Sequence, residues 1–94
     1  MNTVEISVFG TSEPHISCVT VEDQYANDLY HIETVDVDRA RAEGVPQLLA
    51  LVLENATAGA RDIISAAREN VSPVYLNGDE IDHGIFDQAP SQSL

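Results

Sequence analysis

Val4, Ile6 and Val8 alternate with Glu5, Ser7 and Phe9, and a period of two predicts a β-strand with one apolar face. Residues 10–14, GTSEP, are loop chemistry. Val21, Tyr25 and Leu29 then fall at four-residue spacing, which predicts a short helix from about residue 17 to residue 30. Ile32, Val35 and Val37 in HIETVDVD predict a second strand over residues 32–37. Strand, helix and strand in this order make a βαβ unit with parallel strands and a right-handed crossover.

Asp38 is placed to cap a short helix over residues 39–43, and Gly44 to stop it. Pro46 suits the first turn of the next helix. The run QLLALVLENA carries leucines at 48, 49, 51 and 53. Leucine in place of β-branched residues favours helix there, with a buried strand over 47–53 as the alternative. Over residues 57–70, Ile63, Ile64 and Ala67 share one face and Arg61, Arg68 and Glu69 lie away from it, which predicts a second long helix. Val74–Leu76 and residues 80–82 flank Asn77-Gly78. Asn-Gly is the strongest short hairpin signal, because both central residues of a type I′ turn need φ > 0. Residues 1–87 read as one domain and 88–94 as a polar tail. The third strand is expected to run antiparallel to the first.

Pro73 opens that third strand and admits two readings. Proline has no N–H for a ladder, so a strand's first residue is an ordinary place for it, with a trans bond. Alternatively Ser72-Pro73 is a cis bond that shapes a binding site.

Charge narrows the function classes. Sixteen acids face four arginines (Arg39, Arg41, Arg61, Arg68), lysine is absent, and the formal net charge is −12. The acids are dispersed along the chain. Nucleic acid and anionic membranes are therefore poor partners. No apolar run approaches the roughly 20 residues of a membrane span, and the first ten residues lack the basic start of a signal peptide. The surface resembles that of a haloarchaeal or other salt-adapted cytosolic protein, in which near 1 M salt a Debye length of about 3 Å screens self-repulsion. A cytoplasmic location is expected. The single cysteine, Cys18, excludes an internal disulfide and fits a reducing compartment.

The order β-α-β-α-β-β with Pro73 at the head of the third strand resembles the thioredoxin/glutaredoxin fold. Within it, the chain is most similar to the YuzD-like family of small thioredoxin-fold proteins. Phe9-Gly10 ends the first strand, His15-Ile16-Ser17-Cys18-Val19 matches that family's C-x-S-C-V loop, and Asp79-Glu80 matches its turn after the proline strand. The resemblance implies an α/β domain with a mixed four-stranded sheet and helices on its faces. It implies a cis-Pro73 beside a redox loop at the start of the first helix. The chain departs from the pattern where His15 replaces the first cysteine, in a longer segment between the second and third strands, and in a closing helix that is missing or reduced to the tail.

What a dithiol site does, this chain cannot. The first thiol of such a site is ionised by a helix N-terminus and the second resolves the mixed disulfide; only the second position, Cys18, is kept. The expected function is a degenerate thioredoxin-fold protein, acting as a monothiol at Cys18 with His15 beside it, or without redox chemistry. Inert packing of Cys18 as a small hydrophobe is the bland alternative. From a different class, the rival is a non-enzymatic module that holds an extended peptide or protein between the His15–Cys18 loop and a groove at Ser72 and Pro73. A small thiol is the partner implied by the first, a peptide or protein by the second. No cofactor is implied. His15 and Cys18 offer two metal ligands, but His31 is expected at the far end of a parallel sheet and His83 has no route to them, so no zinc site forms. Asp36 and Asp38 are expected to cap a helix rather than bind metal.

Overall fold

Ile16, Val19, Thr20 and Val21 form a β-branched run that suits a strand better than a helix. In the computed structural model, which describes residues 3–82 and residue 84, that preference decides the fold. Strand β1 (Val4–Gly10) is followed by β2 (Ile16–Glu22) and β3 (Asn27–Glu33), with no helix between them. The turn that joins β2 to β3 is built by Asp23. Its side chain accepts hydrogen bonds from the N–H groups of Tyr25 and Ala26, both at 2.8 Å, and its own N–H donates to the Ala26 carbonyl. This is the local bonding by which aspartate stabilises turns. The helix expected over 17–30 is thus corrected: its supposed apolar face contained Tyr25, which is 82% exposed at the turn, and Leu29, 56% exposed on the sheet.

The strand expected over 32–37 is corrected as well. β3 ends at Glu33, and helix α1 (Thr34–Glu43) begins at once. Val37 and Ala40, three apart, are its buried residues, while Val35 is exposed. Asp36 and Asp38 lie inside α1 and cap nothing; Asp36 sits in the first turn, where the helix dipole favours an acid. Gly44, at φ 121°, ends α1 and precedes α2 (Val45–Asn55), with Pro46 in its first turn. Residues 47–53 are therefore helical, as the leucine-rich composition predicts. Helix α3 (Ala58–Glu69) buries Ala60, Ile63, Ile64 and Ala67, and the Thr57 hydroxyl accepts from the Ala60 N–H at its N-terminus. Strands β4 (Val74–Leu76) and β5 (Asp79–Ile81) close the described chain around the Asn77-Gly78 turn, with φ 52° and 88°. Tail residues 88–94 lie outside the described residues.

The architecture is α/β, with a mixed five-stranded sheet in the order β3-β2-β1-β4-β5, where a four-stranded sheet was expected. β1/β2, β2/β3 and β4/β5 pair antiparallel, and β1/β4 parallel. The proline strand is therefore parallel to β1, not antiparallel. The parallel pair is possible because the three helices supply the long crossover between β3 and β4.

Register assigns each side chain to one face of the sheet. Val4, Ile6, Val8, Val19, Val21, Tyr30, Ile32, Val74, Leu76 and Ile81 share one face and form a single core with Leu48, Leu49, Val52, Leu53, Ala60, Ile63 and Ile64 of the helices. Tyr30 ties the layers together: its hydroxyl donates to the Val52 carbonyl of α2 at 3.0 Å, and burial raises its pKa well above the ordinary tyrosine range. Beside it, the Thr57 hydroxyl donates to the Asp28 carboxylate.

Candidate functional site: the open face of the sheet

With every core strand residue turned toward the helices, the alternate residues form a second face that no helix among the described residues covers. Its rows follow from the register. Phe9, Cys18 and His31 lie side by side across β1, β2 and β3; Ser7, Thr20 and Leu29 form the next row; Glu5, Glu22 and Asn27 the third, continued by Tyr75 and Glu80 on β4 and β5. Phe9 is 49% exposed and Leu29 is 56% exposed. A partly apolar centre is thus bordered by four carboxylates, Glu5, Glu22, Glu33 and Glu80. All four arginines of the chain lie on helices, Arg39 and Arg41 on α1 and Arg61 and Arg68 on α3. The open face therefore carries no arginine or lysine, a segregation of charge that gives it a negative potential.

The residues singled out from sequence are dispersed. Cys18 sits within β2, not at a helix N-terminus, and is 5% exposed, buried on the open side between Phe9 and His31. His15 precedes the strand, exposed, in the β1–β2 connection, where its carbonyl accepts from the Thr34 N–H. It lies three positions before Cys18, in the turn that leads into β2. His31, expected at the far end of the sheet, is instead the direct cross-strand partner of Cys18, because β2 and β3 are antiparallel neighbours. No group of three metal-ligating side chains occurs among the described residues. His83 lies outside the described residues.

Ser72 and Pro73 lie elsewhere. The Ser72-Pro73 bond is trans, as are all peptide bonds among the described residues, so the cis expectation is corrected. Pro73 is a strand starter: it lacks an N–H to pair, and its carbonyl accepts from the Val4 N–H at 2.9 Å to begin the β1/β4 ladder. Val74 pairs with Val4, whereas Cys18 pairs with Phe9. Phe9 is five positions along β1 from Val4, about 17 Å, so no groove joins Pro73 to the His15–Cys18 segment.

At the other end of β4, Asn77 continues the ladder with its side chain. Its N–H donates to the Ile6 carbonyl, and its Oδ1 accepts from the Val8 N–H at 2.8 Å, in place of the next main-chain carbonyl. A hollow of about 390 Å³ between α1 and α2 is lined by Asp36, Arg39, Glu43, Gln47, Leu51 and Glu54, among others. Arg39 there pairs with Asp36 at 3.5 Å. Both groups are largely exposed, and their mixed charges converge on no one ligand chemistry.

Sequence reasoning missed Phe9, Leu29 and His31 as a set. Phe9 carried a usable signal: an aromatic on the polar side of an alternating strand. Leu29 and His31 became legible only once β3 was known to be a strand. No helix among the described residues is long and apolar enough to cross a membrane. No family model matches the chain, and no curated protein or solved structure matches it.

Proposed function

We propose that this chain is a non-enzymatic binding module whose partner is an extended, cationic protein segment with apolar residues, held on the open face of the sheet. The observation that carries this is the face itself: Phe9 and Leu29 stand half-exposed around Cys18, and the charges at the border are all acidic. Alternating lysine or arginine and apolar side chains on an extended segment would match both features. Contact pairs with Glu5, Glu22, Glu33 or Glu80 give register and exclude acidic competitors, while the apolar contacts supply most of the affinity. Monothiol chemistry at Cys18 fits less well. A thiolate nucleophile needs access and a stabilising positive potential, and Cys18 has 5% exposure on an acidic face.

The test is fluorescence anisotropy with a labelled synthetic peptide alternating lysine with phenylalanine and valine, against the same peptide with glutamate for lysine. The lysine peptide should bind and the glutamate peptide should not. The double substitution Phe9→Ser and Leu29→Ser should weaken binding at least about tenfold, the equivalent of about 1.4 kcal/mol. Neutralising acids of the helix side, Asp62→Asn with Glu69→Gln, should leave it unchanged. A loss of binding from the helix-side pair as large as that from Phe9→Ser and Leu29→Ser, or no loss from the latter, would mean diffuse attraction to net charge and would overturn the proposal.

A further inference from the structure

Among the described residues β3 is a terminal strand of the sheet, and its outer edge is long. The opposite edge strand, β5, has three residues; β3 has seven. Which of its backbone groups face outward can be worked out. The Thr34 N–H donates to the His15 carbonyl and the Asp23 N–H to the Ala26 carbonyl. Both bonds extend the register that pairs Ile16 with Glu33 and Glu22 with Asn27. Antiparallel bonding alternates residue by residue. Asp28, Tyr30 and Ile32 therefore turn their N–H and C=O groups to β2, and Asn27, Leu29, His31 and Glu33 turn theirs outward.

This edge carries two acids, Asp28 on its core face and Glu33 on its open face, but lacks the stronger devices against pairing. It has no proline, no lysine and no bulge: the β2/β3 register runs unbroken through seven pairs. Its sequence is also complementary to itself. An antiparallel copy centred on Tyr30 sets Asn27 opposite Glu33, Asp28 opposite Ile32 and Leu29 opposite His31 of the second copy. No two acids face each other, directly or on the diagonal. Every outward-facing residue meets another outward-facing residue, so the register satisfies the edge groups along the whole strand. Leu29, 56% exposed, would gain the partner's His31 as its neighbour on the open face.

We infer that β3 pairs with β3 of a second copy, joining two five-stranded sheets into one continuous sheet whose open faces lie on the same side. The proposal stands independently of the binding role given above. A net charge of −12 on each copy opposes the contact, and at roughly 1 M salt, with a Debye length of about 3 Å, that opposition is largely removed. Association is therefore promoted by salt.

Sedimentation equilibrium of the full chain in KCl from about 0.1 M to about 2 M tests this. The expected result is a shift from 10.2 kDa toward twice that mass, with the dimer dissociation constant falling at least about tenfold. Amide hydrogen exchange by NMR supplies the register without any substitution. Tyr30 and Ile32 amides should exchange slowly at both salts, whereas Leu29 and His31 amides should exchange rapidly in the monomer and slowly in the dimer. His31→Pro removes one outward N–H and leaves the bonds to β2 in place, so it should hold the protein monomeric at high salt. A monomer throughout, or a dimer in which Leu29 and His31 amides stay fast, overturns the proposal. So does a folded His31→Pro variant that dimerises normally.

Discussion

Val71 tests the local physics of the fold most sharply. It follows α3 with φ 52°, a left-handed conformation that is a genuine outlier for a β-branched residue. The backbone around it explains the angle. The Ser72 N–H donates to the Ala67 carbonyl and the Val71 N–H to the Arg68 carbonyl, the paired bonds of a Schellman motif in which glycine or asparagine normally holds the Val71 position. The left-handed conformation costs an L-residue about 1–2 kcal/mol. The side chain is 72% exposed, so its removal loses little burial. Glycine gives back roughly 0.5–1 kcal/mol through the greater freedom of the unfolded chain. Val71→Gly should therefore stabilise the domain by about 0.5–1 kcal/mol, which raises Tm by roughly 2–8 °C at this size. Val71→Asn should also stabilise, and Val71→Ala should fall between asparagine and wild type. Urea and thermal unfolding followed by circular dichroism measure all three. A Val71→Gly midpoint below wild type would refute the reasoning, because the valine side chain would then be making a contact worth more than the strain.

Three further outcomes follow from the described contacts. Tyr30→Phe removes the hydrogen bond to the Val52 carbonyl and should cost about 1 kcal/mol in urea unfolding. Because burial raises the Tyr30 pKa, the folded state holds that proton more tightly than the unfolded state does. Stability is then fully present below the ordinary tyrosine pKa of about 10 and falls as pH rises beyond it, with a smaller fall in Tyr30→Phe; identical alkaline profiles would contradict this. Asn77→Ala loses both a residue tolerant of φ 52° and the acceptor for the Val8 N–H, so a loss of about 2 kcal/mol is expected in the same unfolding assay. Iodoacetamide should label Cys18 slowly in the folded protein; His15→Ala should not change the rate, and His31→Ala should raise it by uncovering the thiol, whereas a slower rate in His31→Ala would favour an imidazole-assisted thiol.

The legible parts of the fold were those specified by local chemistry. Asn77-Gly78 has one favourable turn geometry, Gly44 and Pro46 mark helix boundaries through their own backbone limits, and Ile63, Ile64 and Ala67 repeat over enough turns to define a face. Residues 16–37 were misread because their apolar spacing fits both periods. Val21, Tyr25 and Leu29 match a helix, but Val19, Val21, Tyr30 and Ile32 match two strands, and the Asp23 side chain settles the choice in the four-residue turn 23–26. The site was lost with that segment. Cys18 and His15 looked like a helix-start motif only while a helix stood there, and the closeness of Cys18 to His31 depends on strand pairing that spacing does not encode. Pro73 resolved to its bland role because the Val4 N–H needed an acceptor and Pro73 offers a carbonyl with no competing donor.

The binding role rests on where a partner lands. Titrating the isotope-labelled protein with the lysine-containing peptide and following backbone amide shifts locates it directly. The largest shifts should fall on Ser7, Phe9, Cys18, Thr20, Leu29 and His31, the two central rows of the open face, with α1, α2 and α3 little changed. Shifts centred on the α1–α2 hollow around Asp36, Glu43 and Glu54, or spread over the acids of every element alike, would contradict the account.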